Sequence, residues 1–244
     1  MVNFEKVVFL FQQYWPMLWR GIQTTLLISL IGTMAGLVIG FFLSQIRSTD
    51  TKSYPKWLRG PMSLFKALVV FYIEFVRGTP MIAQAVFLYY GLNPLLQWSP
   101  FSAGLIIVSL NTSAYMAEVL RAGIQSIDPG QKEAAQALGM SAKDTFRSII
   151  LPQAIRNAYP AIGNEFIVNI KDTSILNVIS VTDLFAQSMS IAGSTFAYSD
   201  MMFINLFIYF VLTSTVSIIL RIIEKRLNLK RQTIVSQTVP EVLV

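Results

Sequence analysis

The chain has 244 residues, of which 54% are hydrophobic and 13% are charged, about half the charged share of soluble domains, so a soluble enzyme is disfavoured. Cysteine and histidine are absent, which excludes disulfide frameworks, thiol nucleophiles, histidine-dependent triads and the commonest metal ligand. The net charge of +6 is concentrated in three clusters, within 47–66, 121–156 and 221–231, a pattern typical of alternating membrane loops and not of a nucleic-acid-binding surface.

The N-terminal part of the chain is predicted to contain an interfacial segment followed by the first membrane span. Residues 1–19 are rich in aromatic side chains and lack the basic start and cleavage site of a signal peptide, so we expect them to lie at the outer membrane interface. Residues 21–46 carry no charge and exceed the about 20 apolar residues that cross a bilayer. Within this span Gly32, Gly36 and Gly40 form two overlapping G-x-x-x-G patterns, which favour close helix packing.

The second and third spans lie in the long uncharged interval between Arg77 and Glu118. This interval is too long for one helix, and the turn signals Asn93-Pro94 and Ser99-Pro100 divide it into spans over about 78–92 and 102–122. The apolar residues 60–76 before it include Lys66 and Glu74. They predict either an interfacial helix or the entering half of the second span.

Residues 157–181 and 201–220 are predicted to be the fourth and fifth spans. With five spans, all three basic clusters fall on one side, which the positive-inside rule makes cytoplasmic. The opposite loops, near 93–100 and 182–200, contain no Lys or Arg. We therefore expect a multi-pass protein of the cell membrane with its N-terminus outside. Residues 226–244 are expected to form a cytoplasmic tail that is disordered after Arg231.

The cytoplasmic loop over 123–156 is long and polar in a protein whose other loops are short. Asp128-Pro129-Gly130 precedes a helix-favouring run that starts at Glu133. Ser141 and Asp144 predict a second helix start of the S-x-x-D kind, and Pro152 is expected to end that helix. The pattern predicts two short helices separated by a turn, forming an exposed knob for docking on a soluble partner.

The same loop resembles the complete EAA signature found in the membrane subunits of bacterial ABC importers. The matching residues are Glu133, Ala134, Ala135, Gly139, Ile149, Leu151 and Pro152. In that family the loop forms a coupling helix that sits in a groove of the ATP-hydrolysing subunit. The resemblance therefore implies that these residues couple the chain to an ATPase.

Further motifs resemble the polar amino acid branch of these importers, the histidine, glutamine, arginine and cystine type. They are 75–80 (FVRGTP) with Gln84 and 89–91 (YYG), 109–115 (SLNTSAY) with Glu118 and Arg121, and 164–167 (NEFI) with 171–174 (KDTS). The resemblance covers about residues 20–225. It implies an all-α integral membrane protein with the type I, MetI-like permease fold and five transmembrane helices.

The resemblance also implies the partners of the chain. These are two copies of an ATP-binding subunit, a second permease chain, identical or related, an extracytoplasmic substrate-binding protein and an amino acid substrate. The sequence lacks the G-x-x-x-x-G-K-[ST] phosphate loop, so the chain is not expected to be an enzyme or to hold a cofactor. ATP and magnesium are expected on the separate ATPase.

Polar residues inside the predicted spans are candidates for the substrate pathway, because ionisable groups are costly in lipid. Glu165, Asn169 and Asp172 are spaced to share one helical face, as are Asn111 and Glu118. The full candidate set is Asn111, Ser113, Tyr115, Glu118, Glu165, Asn169, Lys171, Asp172 and Thr173. Carboxylates would receive the ammonium of the substrate, and donors its carboxylate. The alternative is that Glu118 pairs with Arg121, and that Lys171 and Asp172 pair with other charges of the chain.

A second candidate element is the sequence Arg77, Gly78, Thr79 and Pro80, which permits a bent backbone. It is predicted to be a hinge or gate near the pathway. Alternatively, Arg77 reaches the cytoplasmic interface and Pro80 simply starts the second span.

The sequence fits three other classes of membrane protein less well. An ion-driven secondary amino acid transporter would usually show internal repeats and would need no docking loop. A membrane enzyme without His or Cys would depend on carboxylates alone, and the carboxylates here fit a cavity lining. An export component would lack the complete EAA pattern.

Overall fold

The computed structural model describes residues 2–238, with all side chains except those of Ser53 and 227–238, and this part of the chain is helical without strands. The α-helices are α1 (Phe4–Ser48), α2 (Lys56–Gly78), α3 (Met81–Leu96), α4 (Pro100–Gln125), α5 (Pro129–Ala137), α6 (Ala142–Thr145), α7 (Leu151–Asp172), α8 (Leu184–Thr195) and α9 (Tyr198–Thr238). Short 3₁₀-helices cover Thr51–Ser53 and Thr173–Ile179, and a π-helical turn covers Phe146–Ile150.

Three helices of the described chain are long and apolar enough to cross a membrane: α1, α4 and α9 up to Arg226. The continuous helical segment 142–179 and α8 meet at an angle of 54° and together have the composition of a fourth, bent span. Helix α3 is also apolar but has only 16 residues, fewer than the about 20 that span the hydrocarbon core. The described residues therefore contain three helices with the length and composition of membrane spans, together with shorter or bent apolar segments.

The packing of α1 against α4 is organised by the predicted glycine stripe of α1. A β-carbon at Gly32 would lie 2.5 Å from Val108 Cγ1, and one at Gly36 would lie 2.7 Å from Thr112 Cβ. At Gly40 it would lie 2.8 Å from the carbonyl oxygen of Ser113. The absence of these β-carbons lets the two backbones approach each other closely, as the G-x-x-x-G spacing predicts.

Residues 4–19 continue into the first span without a break in the helix, although the sequence suggested a separate segment. Leu10 and Leu18 are buried, because this part of α1 packs on α8 and α9. The shared core contains Leu10, Leu18, Ile22, Leu184, Ile191, Ala192, Ala197, Met201, Ile204 and Ile208. The start of α1 is also held to α9, since the Asn3 amide donates to Asp200 Oδ1 at 2.8 Å.

The predicted loop over 182–200 contains a helix, α8, and the expected absence of a helix there is therefore wrong. Asp183 caps its start by accepting a hydrogen bond from the Ala186 amide at 2.9 Å, and Leu184 is fully buried. A β-carbon at Gly21 would lie 2.7 Å from Leu184 Cα. A helix of 12 residues is too short to register as a span, so only its Asp cap and apolar spacing could have indicated it.

Two predicted helix ends also differ from the structure. Helix α3 runs through Asn93 and Pro94, and it ends at Gln97, whose φ of 45° is left-handed. Pro94 lies in the last turn, so its missing amide hydrogen and its ring disturb only the end of the helix. The backbone of α9 continues to Thr238, beyond the predicted boundary at 226 and the disorder expected after Arg231. The rest of the predicted tail, 239–244, lies outside the described residues.

The close approach of α1 and α4 generates a prediction about stability. Gly36→Ala should lower the melting temperature of the purified protein in detergent, because overpacking a tight contact costs about 1–3 kcal/mol. Gly60→Ala is the matched control, since Gly60 is also helical and has no atom within 4 Å of an added β-carbon. Equal melting temperatures for the two variants would show that the contact tolerates a side chain.

Candidate functional site

The EAA segment lies on α5, which begins earlier than the sequence suggested. Asp128 caps the helix by accepting a hydrogen bond from the Gly130 amide at 2.8 Å, and Pro129 occupies the first turn. Glu133 is therefore in the middle of α5 and not at its start. Glu133 and Ala134 are exposed, whereas Ala135 is buried at 3% exposure. The helix thus presents one face outward and packs the other on the loop.

Gly139 ends α5 through a left-handed backbone conformation, with φ of +82°. The Met140 amide donates to the Ala135 carbonyl at 3.1 Å, and the Gly139 amide donates to Gln136 at 3.0 Å. These two bonds form a Schellman cap, in which glycine is strongly favoured at the left-handed position. The adjacent Leu138 is 85% exposed, so the turn presents a large apolar side chain to the outside.

The second helix of the loop starts as predicted but does not end at Pro152. Ser141 accepts a hydrogen bond from the Asp144 amide at 3.1 Å. From there the chain is helical through α6, the π-helical turn and α7. Pro152 is the second residue of α7 and directly follows the π-helical turn, so the helix continues through the proline. The expected end of the helix is therefore wrong, and the coupling loop passes directly into α7.

The remaining EAA positions anchor this segment. Ile149 packs on a small core formed by Ile127, Ile150 and Ala154, and Leu151 is half-buried. This core joins the end of α4 to the start of α7. As a result, the exposed α5 is fixed at both of its ends to longer helices.

Asn169 lies in the interior between α1, α4 and α7, at 3% exposure. Its Nδ2 donates to Thr33 Oγ1 at 2.8 Å and to Thr112 Oγ1 at 3.0 Å. Neither threonine was among the predicted site residues. They lie on different helices, so no local sequence pattern indicates that they meet. This arrangement satisfies the polar groups of three helices within the chain.

Asn111 and Ser113 are also bonded inside the chain. Asn111 Nδ2 donates to Gln84 Oε1 at 3.0 Å, and Ser113 Oγ lies 2.9 Å from the Tyr72 hydroxyl. Gln84 Nε2 in turn donates to the Val76 carbonyl at 2.8 Å. Gln84 was named above with the 75–80 motif, but the sequence did not predict that its side chain would join α2 to α4.

These bonds frame the predicted hinge at residues 77–80, where the chain breaks between α2 and α3. Gln84 Nε2 lies 2.8 Å from Thr79 Oγ1 and 3.1 Å from the Thr79 carbonyl oxygen. Gly78 is exposed, and Pro80 precedes the first residue of α3. The break is therefore held by one glutamine side chain that also reaches α4.

Glu118 is surrounded by three arginines. Its carboxylate lies 2.6 Å from Arg47 Nη1, 2.7 Å from Arg121 Nη2 and 3.8 Å from Arg77 Nη1. The pairing with Arg121 is the one that the sequence left open as an alternative. The Arg77 guanidinium also lies 5.8 Å from the centre of the Tyr115 ring, which brings the hinge next to two pathway candidates.

Glu165 and Asp172 differ from the other candidates. Both side chains are half-buried, and Lys171 is exposed. Within the described chain, neither carboxylate forms a hydrogen bond or a salt bridge. The Thr173 hydroxyl donates to the Ile170 carbonyl at 3.0 Å and also bonds to the Tyr209 side chain. The acidic groups of α7 thus remain available to a ligand or a second chain.

The fold and the loop together define a helical membrane protein that exposes the EAA segment on α5. The chain belongs to the family of binding-protein-dependent transport system inner membrane components, which it matches over residues 57–229. The resemblance seen in the motifs is thereby confirmed.

Individual relatives support this membership. The glutamine transport system permease protein GlnP of Escherichia coli K12 is 35% identical over 217 residues, covering 88% of this chain and 94% of GlnP. The arginine transport system permease protein ArtQ of Bacillus subtilis is 34% identical over 215 residues, covering 87% of this chain and 93% of ArtQ.

Solved structures agree with the fold. A crystal structure of an amino acid ABC transporter with histidines superposes with a TM-score of 0.81 at 37% identity, covering 93% of this chain and 99% of that one. The MetNI methionine ABC transporter in an inward facing conformation gives a TM-score of 0.72 at 18% identity, over 87% of this chain and 98% of that one. The chain therefore has the all-helical, MetI-like type I ABC permease fold.

The interior bonds of Asn169 lead to a prediction. Asn169→Ala should lower the melting temperature by an amount equivalent to about 1–3 kcal/mol, because it leaves buried hydroxyls without their partner. Ser174→Ala is the control, since the half-buried Ser174 hydroxyl donates to the Lys171 carbonyl of its own helical turn at 2.7 Å and bonds to no other helix in the described chain. Strictly additive losses in an Asn169→Ala, Thr33→Val double variant would contradict direct coupling of these side chains.

Proposed function

We propose that this chain is the membrane-spanning permease subunit of an ATP-driven ABC importer for a polar amino acid of the glutamine or arginine class. The observation that carries the proposal is α5, an exposed EAA helix capped by Asp128 and Gly139, in a chain with family-wide sequence and fold similarity. The relatives that transport glutamine and arginine point to this class of substrate. The comparisons give no support to an ion-driven secondary transporter.

In this proposal the chain crosses the cell membrane five times, with its N-terminus outside and its C-terminus in the cytoplasm. The spans comprise α1, α3 with the end of α2, α4, α7 with the following 3₁₀-helix, and α9. The support is the distribution of charge, since α5, α6 and the end of α9 carry Lys and Arg whereas 182–200 has neither. Helix α1, at about 67 Å from its 45 residues, is longer than the hydrocarbon core of about 30 Å.

Two ATP-binding subunits would dock on α5, one for each of two permease chains that form the pathway together. ATP and magnesium would be held by those subunits, and this chain would hold no cofactor. Closure of the ATPases would push on α5, and the small core of Ile127, Ile150 and Ala154 would pass the displacement to α4 and α7. An extracytoplasmic binding protein would deliver the substrate.

The substrate pathway would follow the polar candidates on α4 and α7. Within the described residues, the half-buried carboxylates Glu165 and Asp172 form no hydrogen bond or salt bridge, so they are the groups proposed to receive the ammonium of the amino acid. Lys171, exposed beside them, would provide a donor for the substrate carboxylate. The bonded residues Asn111, Ser113, Asn169 and Thr173 would hold the pathway wall in shape, with Tyr115 and Glu118 nearer the hinge at 77–80.

Docking of the ATPase on α5 can be tested by substituting Glu133 on the helix and Gly139 in the turn that follows it. Gly139→Ala should reduce both ATPase co-purification and ATP-driven uptake several-fold, because a β-carbon in the left-handed region costs about 1–2 kcal/mol. Glu133→Lys, which reverses an exposed charge, should have the same effect without changing the melting temperature. Gly60→Ala serves as the control. If both loop variants retain the ATPase and full uptake, the importer proposal fails.

The assignment of Glu165 is tested by transport in liposomes containing the complete importer. Glu165→Gln should raise the substrate KM for uptake by about tenfold or more, because the ammonium would lose one of its two proposed charged partners in a partly desolvated site. Glu224→Gln, a half-buried carboxylate at the cytoplasmic end of α9, should leave KM unchanged. Unchanged affinity and uptake in Glu165→Gln would remove this residue from the pathway.

A further inference from the structure

Five charged side chains meet where α1, α2 and α4 end on the side of the coupling loop. We call them the arginine–glutamate cluster: Arg47, Glu74, Arg77, Glu118 and Arg121. They belong to three helices: Arg47 to α1, Glu74 and Arg77 to α2, and Glu118 and Arg121 to α4. Arg121 lies about one turn before Gln125, the last residue of α4, from which the chain continues to α5.

Glu118 is the centre of this cluster. Arg121 Nε and Nη2 donate to Glu118 Oε2 at 3.1 and 2.7 Å. The other carboxylate oxygen lies 2.6 Å from Arg47 Nη1 of α1, and Arg77 of α2 lies 3.8 Å from Oε2. The carboxyl side chain is only 15% exposed, so these pairings are weakly screened by solvent.

Glu74 has a subsidiary place in the cluster. It lies 3.2 Å from Arg47 Nη2, and its side chain is 56% exposed. Exposed pairs of this kind contribute little. The cluster therefore depends on Glu118, since removing its charge would leave three guanidinium groups close together with one exposed carboxylate to balance them.

The cluster is connected to the coupling loop by further bonds. Arg121 Nη1 donates at 2.7 Å to Gln125, the last residue of α4. The next residue, Ser126, accepts a hydrogen bond from Asn157 Nδ2 of α7 at 2.9 Å. The segment that leads into α5 is therefore tied to the same guanidinium that holds Glu118.

We propose that Glu118 is a positioning residue for coupling: it joins α1, α2 and α4 so that they move as one unit when the ATPase displaces α5. This inference rests on the proposed function, because it assigns a route for the displacement. Glu118 acts through Arg47, Arg77 and Arg121 and does not contact the substrate in this role. The glycine stripe packs α1 on α4 along their length, and the cluster adds α2 and the hinge to the same body.

The first test uses the complete importer in liposomes, with uptake and ATP hydrolysis measured together. Glu118→Gln should lower the number of substrate molecules imported per ATP by about fivefold or more, as expected for loss of one coupling interaction, with an unchanged substrate KM. Glu118→Asp, which keeps the charge, should recover part of that ratio. In the matched control Glu74→Gln, the number of substrate molecules imported per ATP should stay close to that of the unchanged protein.

The second test is a cross-linking experiment. Because the sequence contains no cysteine, a single pair of cysteines can be introduced and joined selectively. Ser48→Cys and Ala122→Cys place exposed thiols on α1 and α4 beside the cluster. Joining them with a short bis-maleimide should leave coupled transport intact in the otherwise unchanged chain and should restore it in Glu118→Gln. This arm remains informative even if Glu118→Gln folds poorly.

The outcomes separate the two proposals. If the unchanged importer shows no ATP-driven uptake, the proposed function fails. If uptake is normal but Glu118→Gln keeps the ratio of substrate to ATP, or raises KM without changing that ratio, only the positioning role is overturned. Loss of transport on cross-linking the otherwise unchanged chain would show that α1 and α4 move against each other, which also overturns it.

Discussion

The close approach of α1 and α4 is the constraint on which the rest of the structure depends. Three glycines at successive turns leave no room for a β-carbon against Val108, Thr112 and the Ser113 backbone. Because the hydrophobic effect does not drive helices together in lipid, their association depends on close van der Waals packing and interhelical hydrogen bonds. Thr112 and Ser113 are then held where Asn169 and Tyr72 can bond to them, so the polar interior depends on the glycine contact.

Hydrogen bonding divides the polar residues of the interior into two groups. Polar atoms inside a membrane protein need partners within the protein, and Asn169, Asn111 and Ser113 have them in Thr33, Gln84 and Tyr72. Glu165 and Asp172 have no such bonds in the described chain. The first group stabilises the bundle, whereas the second group lacks such bonds, which is why the proposed substrate contacts are placed on α7.

The coupling loop is rigid where it joins the bundle and exposed where it would meet the ATPase. Asp128 and Gly139 fix the ends of α5, and the helix that follows passes into α7 through a π-helical turn. On the other side, Arg121 ties the end of α4 to Glu118. In the proposed function, a displacement of α5 would reach α4 and α7 through short connections on either side of α5.

The sequence by itself determined the membrane class, the apolar spans, the EAA loop and the glycine stripe, because these depend on composition and on local spacing. It also placed the break near Pro80, since proline and glycine act on the backbone around them. Only the tertiary structure decided that 182–200 contains α8, that Pro152 continues a helix, and which polar residues are bonded. Those outcomes depend on side chains from distant helices, such as Gln84 beside Asn111 and Arg47 beside Glu118. Residue spacing within one segment cannot predict such neighbours, because they come from other parts of the chain.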